Sequence, residues 1–407
     1  SMQRLRPYLI HNRYQLLRKI GDGGMGSVYS ALDLLVDQTV ALKRVRLDKT
    51  SPIDIDSYHE RRSALVTLTR EFQTLTTLNH PHIVSVLDFG FDDERAFFTM
   101  SLIDNAQDIV TAGERGDNRV KTQYLIELLQ ALTYLHRHRV VHRDLKPSNV
   151  LIDESGHVRV VDFGLATQAG IISGVEGTLA YIAPEVLQNR IATPASDLYA
   201  VGVIAYELFA GVHPFGKLSV GQLLQTVTKK VVDLSSIDAP DAVRNIIGRL
   251  LQIDPDARYS SAEAVIDALC AAADVAPPHH SAVLGDSYWQ SAGFVGREQE
   301  LNRLVLALDQ AMKGHGGAYA LIGESGVGKS RLLNELRTLA LTRGALVLRG
   351  GGVADGGLPY QLWRGIAREL LLLHDVTDDQ AAILAALVPD IERLLDREIP
   401  PAPSLSD

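Results

Sequence analysis

Three closely spaced glycines form the first pattern in the sequence that could do chemistry. Gly21, Gly23 and Gly26 belong to a Gly-x-Gly-x-x-Gly-x-Val run that ends at Val28, between two predicted strands. Glycine lets the backbone approach a phosphate closely and present its N–H groups without a side chain in the way. A glycine-rich hairpin without a ligand is the other interpretation. The strand predicted after the glycines argues against a dinucleotide-binding fold, which would continue into a helix.

A lysine on a later strand adds a candidate cation for the same phosphates. Lys43 ends a Val-Ala-Leu-Lys segment on the next predicted strand but one. An inward-facing lysine there could pair with the α- and β-phosphates of a nucleotide, provided that a carboxylate holds its ammonium group. Glu71, on a helix predicted over 63–78, is the candidate carboxylate, and Glu60 is the rival, but it precedes the periodic segment. The polar stretch 48–62 is predicted to be a surface loop, whose length costs little closure entropy.

Two short strings further along carry the strongest signal. His-Arg-Asp-Leu-Lys-Pro-Ser-Asn occupies residues 142–149, and Asp-Phe-Gly occupies residues 162–164. They match the catalytic loop and the metal-binding motif of protein kinases. Behind a glycine loop and a strand lysine, they make residues 14 to about 273 resemble the eukaryotic-like (Hanks-type) serine/threonine protein kinases of bacteria. The resemblance implies an α+β bilobal protein-kinase fold, with a β-rich N-lobe and a helical C-lobe.

The resemblance also implies a role for each polar residue in these strings. Asp144 would accept or orient the proton of the substrate hydroxyl, and Lys146 would neutralise charge on the γ-phosphate of ATP. Asn149 and Asp162 would hold two Mg²⁺ ions that bridge the phosphates. Lys43 would complete the set through its pairing with the phosphates and with a helical glutamate.

An adenine pocket and several structural residues follow from the same resemblance. The positions that would surround the adenine ring or guard the back of its pocket are Val28, Ala41, Met100 and Leu151. Asp197 resembles the helical aspartate that braces the catalytic loop of the family. Glu185 and Arg258 resemble a buried ion pair, in which removing one partner would strand the other charge.

The segment after the metal-binding motif resembles an activation loop. Its available hydroxyls are Thr167, Ser173 and Thr178. Lys146 together with Thr178 is the serine/threonine pattern of the family. Arg143 beside the catalytic aspartate often accompanies control by phosphorylation, because a new phosphate can pair with that arginine. We favour Ser173 as the regulatory site, since Thr178 has a docking role, and Glu176 could supply standing negative charge instead.

A second phosphate-binding pattern lies near the end of the chain. Gly-x4-Gly-Lys-Ser covers residues 323–330, after a strand predicted at 318–322 and before a predicted helix. This context makes it a strong P-loop signal. Its functional positions are Gly323, Gly326, Gly328, Lys329 and Ser330. Backbone N–H groups would cradle phosphates, Lys329 would reach the β- and γ-oxygens, and Ser330 would bind Mg²⁺. Residues 294–298 resemble the entry motif of AAA-type and related STAND-type signalling ATPases.

This second domain is predicted to be partial. A P-loop ATPase needs a second strand that ends in an acidic residue, to hold Mg²⁺ and water. The nearest approximation, 371–375, fits better as the end of a helix that begins near Pro359. We therefore expect a partial α/β P-loop NTPase domain that can bind a nucleotide but does not hydrolyse it by itself.

Sequence patterns divide the chain into a kinase domain, a linker and the P-loop domain. Strands dominate residues 14 to about 100, and apolar residues at three and four spacing predict helices around 124–135 and 198–209. Helices over 298–312 and 329–341 and a strand at 345–348 are predicted in the last part. The predicted segments are an N-terminal extension with a tag-cleavage scar (1–13), the N-lobe (14–102), the C-lobe (103–273), a linker (274–292) and the partial ATPase domain (293–407).

Composition excludes several classes of protein. A net charge of −9 argues against a nucleic-acid-binding surface, which needs a concentrated basic face. The single cysteine, Cys270, rules out a disulfide within the chain and fits a reducing compartment. No window approaches the roughly 20 apolar residues of a membrane-spanning helix. We therefore expect a cytoplasmic protein that binds no nucleic acid.

Four functions compete on these observations. The first is an active kinase for serine and threonine hydroxyls of proteins, with self-association for phosphorylation in trans left open. The second is a pseudokinase scaffold, which the presence of Lys43, Asp144, Asn149 and Asp162 disfavours. The third is an ATPase whose kinase part only senses nucleotide. The fourth is a small-molecule phosphotransferase, which the Ala-Pro-Glu segment that ends at Glu185 disfavours because it serves protein docking.

Overall fold

The chain divides into two compact units, each built from more than one chain segment. The computed structural model describes residues 9–23, 26–45, 78–92, 95–162, 179–216, 220–229, 232–274, 297–324, 326–343, 345–352 and 360–401. The first unit comprises residues 1–73, 87–102 and 296–407, and the second comprises residues 74–86 and 103–295.

A six-stranded sheet forms the first part of the first unit. Its strands are β1 (Leu9–Ile10), β2 (Tyr14–Gly23), β3 (Gly26–Asp33), β4 (Gln38–Val45), β5 (Val86–Asp92) and β6 (Arg95–Ser101). Their order across the sheet is β1-β2-β3-β4-β6-β5. The pairs β2–β3, β3–β4 and β4–β6 are antiparallel. The strands predicted from residue 14 onward are confirmed in β2, β3 and β4, up to Val45, the last described residue of this segment.

One face of this sheet carries its apolar core. The clustered buried side chains are Ile10, Tyr14, Ala31, Val40, Leu42 and Phe97. Successive side chains of a strand point to opposite faces. Ala41 and Lys43 therefore lie on the face opposite to Val40 and Leu42, so the alternation in β4 places the candidate lysine away from this core.

Helices dominate the second unit, with one small sheet beside them. Its elements are β7 (Gln107–Asp108), α1 (Ile109–Gly113), α2 (Asn118–Arg137), β8 (Val150–Ile152), β9 (Val158–Val160), α3 (Pro184–Leu187), α4 (Pro194–Ala210), α5 (Val220–Val227), α6 (Asp241–Leu250) and α7 (Ala262–Ala273). The strands pair antiparallel in the order β7-β8-β9. Helix α2 packs against α4 and α7, and α4 packs against α6.

Local signals fix the ends of the two long helices. The Asp117 side chain accepts a hydrogen bond from the Val120 backbone N–H (2.9 Å) and so caps the start of α2. Thr193 and Ser196 form a capping box at the start of α4. The same helix ends at Gly211, whose backbone is left-handed (φ +69°), a conformation that suits glycine. Both helices predicted around 124–135 and 198–209 are confirmed, each with an added turn or more.

Residues 297–401 form the second part of the first unit, which we call the P-loop module. Its helices are α8 (Glu298–Met312), α9 (Lys329–Thr342), α10 (Gln361–Leu373), α11 (Asp378–Leu384) and α12 (Ile391–Leu395). A small apolar core joins the last three through Leu371, Ala381, Val388, Ile391 and Leu394. The two helices predicted at 298–312 and 329–341 are confirmed. Because α10 ends at Leu373, the prediction that 371–375 is the end of a helix is confirmed too.

Two strand predictions in the P-loop module were wrong. Residues 318–322 and 345–348 are irregular, and no strand occurs among the described residues of the module. Tyr319 and Ile322 are 67% and 94% exposed, so the first segment buries little apolar surface. A strand is defined by ladder hydrogen bonds to a neighbouring strand, and an apolar run alone cannot supply them.

Two remaining predictions concern the helix expected over 63–78 and the expectation that the chain has no membrane-spanning helix. The helix predicted over 63–78 falls almost wholly outside the described residues. Within the part of the chain that the structure describes, none of the helices combines the length and the apolar character that crossing a membrane requires.

Candidate active site

The β8–β9 hairpin positions the two candidate metal ligands. Asn149 directly precedes β8, and Asp162 follows β9 by two residues. The Val161 backbone N–H donates to the Asn149 carbonyl oxygen (2.9 Å), which extends the hairpin pairing by one step. The antiparallel ladder therefore brings Asn149 and Asp162, thirteen positions apart in the sequence (162−149), to the same end of the hairpin.

Asp144, Lys146 and Asn149 form one hydrogen-bonded cluster. Lys146 Nζ donates to both carboxylate oxygens of Asp144, at 3.2 and 3.0 Å. Asn149 Nδ2 donates to the backbone carbonyl of Asp144 (2.7 Å) and to Asp144 Oδ2 (3.0 Å). Asp144 and Asn149 are 6% and 3% exposed, so these contacts are held in a buried setting. The amide nitrogen of Asn149 thus serves the catalytic loop, while its amide oxygen is the atom suited to a cation.

Asp197 shapes the backbone that carries this cluster. Its carboxylate accepts the backbone N–H groups of His142 (2.9 Å) and Arg143 (3.0 Å). Arg143 has a left-handed backbone (φ +68°), an uncommon conformation for a residue with a long side chain. His136 Nε2 lies 2.8 Å from the same carboxylate. The predicted bracing role of Asp197 is therefore visible as three contacts to a side chain that is 1% exposed.

His142 connects the catalytic loop to the end of β9. Its Nδ1 accepts the backbone N–H of Asp144 (3.4 Å), and its Nε2 lies 3.1 Å from the Val161 carbonyl oxygen. This arrangement requires the neutral ring with the proton on Nε2, which donates to the carbonyl. Burial lowers the pKa of His142, which keeps the ring in that form.

The donor set at the hairpin end fits Mg²⁺. A carboxylate (Asp162) and an amide oxygen (Asn149) are hard oxygen ligands, the type that Mg²⁺ prefers, and Mg²⁺ in nucleotide sites is typically bound by one or two protein groups together with phosphates. Asp162 has a left-handed backbone (φ +56°), which sets the direction in which the chain leaves β9. The residue types at the hairpin end are therefore compatible with Mg²⁺ binding.

Four predicted nucleotide residues share one face of the sheet in the first unit. Val28 lies directly opposite Lys43 on adjacent strands, and Ala41 lies opposite Met100. Lys43 is 6% exposed, and its Nζ lies 5.9 Å from the centre of the Phe98 ring. Three apolar side chains beside one ammonium group form a surface that suits a flat base next to phosphates. Leu151, the remaining adenine candidate, lies in β8 of the second unit.

The glycine pattern lies at the tip of the β2–β3 hairpin. Gly23 and Gly26 are cross-strand partners there. Gly26 has φ +147°, and a Cβ at this position would lie 1.9 Å from the Arg44 carbonyl oxygen, so the sheet itself requires a glycine. At Gly21 a Cβ would meet no atom within 4 Å, so the fold leaves this position open. The fold therefore requires glycine at position 26 but not at position 21.

The predicted ion pair of Glu185 and Arg258 is present and fully buried. Arg258 Nη1 and Nη2 donate to the two oxygens of Glu185, at 2.9 and 2.8 Å. Ser196 also donates to Glu185 (2.7 Å). Burial alone would raise the pKa of Glu185, but the hydrogen bonds from Arg258 and Ser196 hold it below its usual range.

The second phosphate pattern folds into a loop followed directly by a helix. Gly326 and Gly328 have φ of +83° and +92°, and α9 begins at Lys329. Lys329 Nζ donates to the carbonyl oxygens of Gly323 (2.7 Å) and Glu324 (2.6 Å). Ser330 occupies the next position of the helix. Consecutive N–H groups at a helix start, with a lysine beside them, suit a phosphate group.

Several predicted site residues fall outside the described ranges. They are Glu71, Thr167, Ser173 and Thr178. Two contacts of the site were missed by the sequence reasoning: the His136–Asp197 hydrogen bond and the Ser196–Glu185 hydrogen bond. The first bond joins two distant segments, so no local pattern indicates it. The second involves Ser196 of the helix cap, and that cap has a local signal, Thr193 followed by Ser196.

Comparisons with known proteins match both parts of the chain. Residues 14–269 match the family model described as protein kinase domain, and residues 293–406 match the one described as AAA ATPase domain. The chain is 34% identical over 264 residues to serine/threonine-protein kinase PrkC of Bacillus subtilis, covering 62% of this chain and 39% of that protein. It is 33% identical over 279 residues to serine/threonine-protein kinase PknA of Mycobacterium tuberculosis, covering 64% and 62%. A probable serine/threonine-protein kinase of Bifidobacterium longum, pknA2, is 36% identical over 214 residues, covering 51% and 28%. The chain thus spans less than two thirds of the length of each of these relatives.

Proposed function

This chain belongs to the protein kinase family, and from that premise we propose that it transfers the γ-phosphoryl group of ATP to serine and threonine hydroxyls of proteins. The observation that carries the proposal is the cluster of Asp144, Lys146 and Asn149 beside the hairpin end at Asp162. The bacterial relatives are named serine/threonine-protein kinases, which supports the substrate class.

Each residue of the cluster has a distinct role in this proposal. Asp144 accepts or orients the proton of the attacking hydroxyl, as general bases do in phosphoryl transfer. Lys146, already held on Asp144, places a positive charge where negative charge develops on the transferred group. Asn149 and Asp162 supply oxygen ligands for Mg²⁺, which neutralises phosphate charge when bound. Lys43 holds the α- and β-phosphates, with Glu71 as the carboxylate that orients it.

We assign the adenine contacts to the residues on the sheet face that carries Lys43, and we retain Leu151 from the family resemblance. Val28, Ala41, Met100 and Leu151 are the proposed contacts, and Gly21, Gly23 and Gly26 are the proposed phosphate loop. An aliphatic surface excludes water from the base and leaves the charged end of the ligand to the lysine.

Control of the kinase is assigned to the segment between Asp162 and Glu185. Among Thr167, Ser173 and Thr178, we propose Ser173 as the regulatory phosphorylation site, with Arg143 as the partner of the new phosphate. Phosphopeptide mapping of active enzyme should recover phosphate on Ser173. Active enzyme without phosphate there would remove Ser173 from this role.

The biological setting proposed is bacterial signalling in the cytoplasm. Protein substrates with serine or threonine acceptors are the proposed partners, together with a second copy of the chain for phosphorylation in trans. The P-loop module is proposed to bind ATP or ADP with Mg²⁺ through Gly323, Gly326, Gly328, Lys329 and Ser330.

Intact-mass spectrometry on phosphatase-treated protein tests the function directly. After incubation with Mg-ATP, the wild type and Lys329→Ala should each gain phosphate, because the reaction belongs to the kinase residues. Asp162→Asn should gain none, because it loses a metal ligand. A wild type that stays unmodified and also leaves a generic serine/threonine substrate untouched would contradict the proposal and favour a scaffold.

A further inference from the structure

An arginine from the P-loop module reaches an edge strand of the sheet. Asp88, on β5, binds two arginines: Arg13 Nη1 at 2.9 Å and Arg337 Nη2 at 2.8 Å. Arg337 belongs to α9, and its guanidinium also lies 5.1 Å from the centre of the Phe89 ring. One helix of the module thus makes both an ion pair and a cation–π contact with neighbouring residues of β5.

Two further arginines of the module reach the turn between β3 and β4. Arg368, on α10, donates to the Leu35 carbonyl oxygen, and Arg393, on α12, lies 3.4 Å from Asp37. Asp390 holds both of these arginines, at 2.9 and 2.8 Å. We call the set of Arg337, Arg368 and Arg393 with their acceptors on the sheet the three-arginine contact.

The central pair of this contact is neither exposed nor fully buried. The Arg337 and Asp88 side chains are 22% and 24% exposed. Glu369, on α10, faces the same charges: burial raises its pKa, Arg13 and Arg337 oppose that shift, and Asp88 adds to it. Three carboxylates (Asp33, Asp88 and Glu369) thus share two arginines. If α9 moved away from β5, Arg337 and Asp88 would each lose a partner of opposite charge. The stability of this network therefore depends on the distances between its side chains.

The P-loop leads directly into the start of the same helix. Lys329 is the first residue of α9, and Arg337 follows eight residues later (337−329). At a rise of about 1.5 Å per residue, the two lie roughly 12 Å apart along one rigid helix. A shift of the first turn therefore moves Arg337 relative to β5.

Lys329 would make different contacts in a loop that holds a phosphate from those it makes in this structure. In this structure its ammonium group is held by the carbonyl oxygens of Gly323 and Glu324. A bound phosphate would draw the same ammonium group, and the N–H groups at the start of α9, toward itself. A ligand shifts a conformational equilibrium only through such differential contacts.

We propose that the nucleotide state of the P-loop controls the three-arginine contact: a nucleoside diphosphate or triphosphate bound at Lys329 moves α9 and releases Arg337 from Asp88. The P-loop module is then a nucleotide-dependent regulator of the sheet that carries Lys43. The proposal rests on the proposed function only in naming a kinase as the activity that is regulated.

A distance measurement between the module and the sheet tests this. Spin labels are placed by Leu17→Cys on β2 and Ile383→Cys on α11, two side chains that are 53% and 63% exposed. The native Cys270 is buried and the only cysteine, so labelling is confined to the added sites. Without nucleotide, the full chain should give one narrow distance distribution. Mg-ADP should broaden or lengthen it, and ADP has no γ-phosphoryl group, so the readout does not depend on phosphoryl transfer.

Three variants make the result specific. In Lys329→Ala, Mg-ADP should leave the distribution narrow. ADP that binds elsewhere in the chain has no contact with the start of α9 through Lys329 and so cannot move this helix. Arg337→Gln should give the broad distribution without nucleotide. Arg397→Gln is the matched control, since its ion pair with Asp378 (3.0 Å) lies within the module, and it should behave as the wild type does.

Two results would overturn the proposal. One is a wild-type distribution that saturating Mg-ADP leaves unchanged, and the other is a change of equal size in Lys329→Ala. Neither result bears on the kinase assay by mass spectrometry, so failure of the coupling and failure of the kinase function are separate outcomes.

Discussion

At the scale of single residues, Asp197 determines the shape of the catalytic loop. Its two carboxylate oxygens divide the backbone N–H groups of His142 and Arg143 between them, and His136 approaches the same group. The left-handed backbone at Arg143 turns the chain so that Asp144 follows. We therefore propose that Asp197 is a positioning residue for Asp144, because its contacts are with the backbone on which Asp144 sits.

Asp197→Asn should lower both stability and turnover. The amide keeps one acceptor but turns an N–H group toward a backbone donor, which leaves a buried donor without a partner at about 1–3 kcal/mol. Thermal unfolding should report the loss of stability, and steady-state kinetics should show kcat falling more than KM changes. Asp117→Asn is the control, because asparagine caps a helix as well as aspartate does. An Asp197→Asn enzyme with wild-type kcat would refute the positioning role.

At the scale of elements, Arg258 joins three segments of the second unit. All five N–H groups of a guanidinium need acceptors when it is buried, and Arg258 is 2% exposed. Its acceptors are the two oxygens of Glu185 and the carbonyl oxygens of Ala195, Gln252 and Ile253. The start of α4, the turn after α6 and Glu185 on α3 are therefore fixed to each other by one side chain, which also lies over the Tyr199 ring at 4.9 Å.

Arg258→Lys should be strongly destabilising although it preserves the charge. Lysine offers three donors from one point and cannot reach acceptors that surround a planar fork. At about 1–3 kcal/mol for each buried acceptor left unpaired, the loss should be of order 3–5 kcal/mol. Denaturant unfolding measures it. Arg137→Lys is the matched control, because the Arg137–Glu263 pair is 42% and 32% exposed and exposed pairs contribute little. Equal losses in the two variants would refute this account.

Across the molecule, three histidines of the second unit share one local arrangement. Nδ1 of each ring accepts a backbone N–H from two residues further on: His80 from His82 (3.1 Å), His142 from Asp144 (3.4 Å) and His213 from Phe215 (3.2 Å). An Nδ1 that accepts a hydrogen bond carries no proton. Burial lowers the pKa of all three rings, to about 4 for His80 and for His213.

Stability should therefore fall as the pH is lowered from about 6.5 to about 4. Unfolded histidines bind a proton near pH 6.5, whereas the folded rings do not until lower pH, so the unfolded state binds more protons in this window. Above pH 6.5 the contribution is constant. Urea unfolding at a series of pH values should show this slope. The double variant His80→Asn and His213→Asn should flatten it, since asparagine can accept the same backbone N–H without titrating. An unchanged slope in the double variant would exclude these rings as its cause.

Sequence reasoning predicted the parts of the fold that local patterns determine. Alternation found β2 to β4, periodicity found α2, α4, α8 and α9, and motif spacing found the Asp144 cluster. It missed the full extent of α4, although Thr193-Pro194 and Gly211 mark both ends. Strands at 318–322 and 345–348 were wrong because pairing depends on a neighbour that a local pattern does not contain. The Arg337–Asp88 pair joins residues 249 positions apart, so no local pattern could indicate it.

The hydrogen bonds of Lys329 to its own loop have an energetic consequence for nucleotide affinity. The carbonyl oxygens of Gly323 and Glu324 act as an internal competitor for the ammonium group that a phosphate needs. The apparent dissociation constant is the intrinsic one divided by the fraction of molecules in which the lysine is released, so a fraction of about one in a hundred weakens binding about a hundredfold. A site weakened in this way fills only at a correspondingly higher nucleotide concentration, so its occupancy follows the amount of free nucleotide around it.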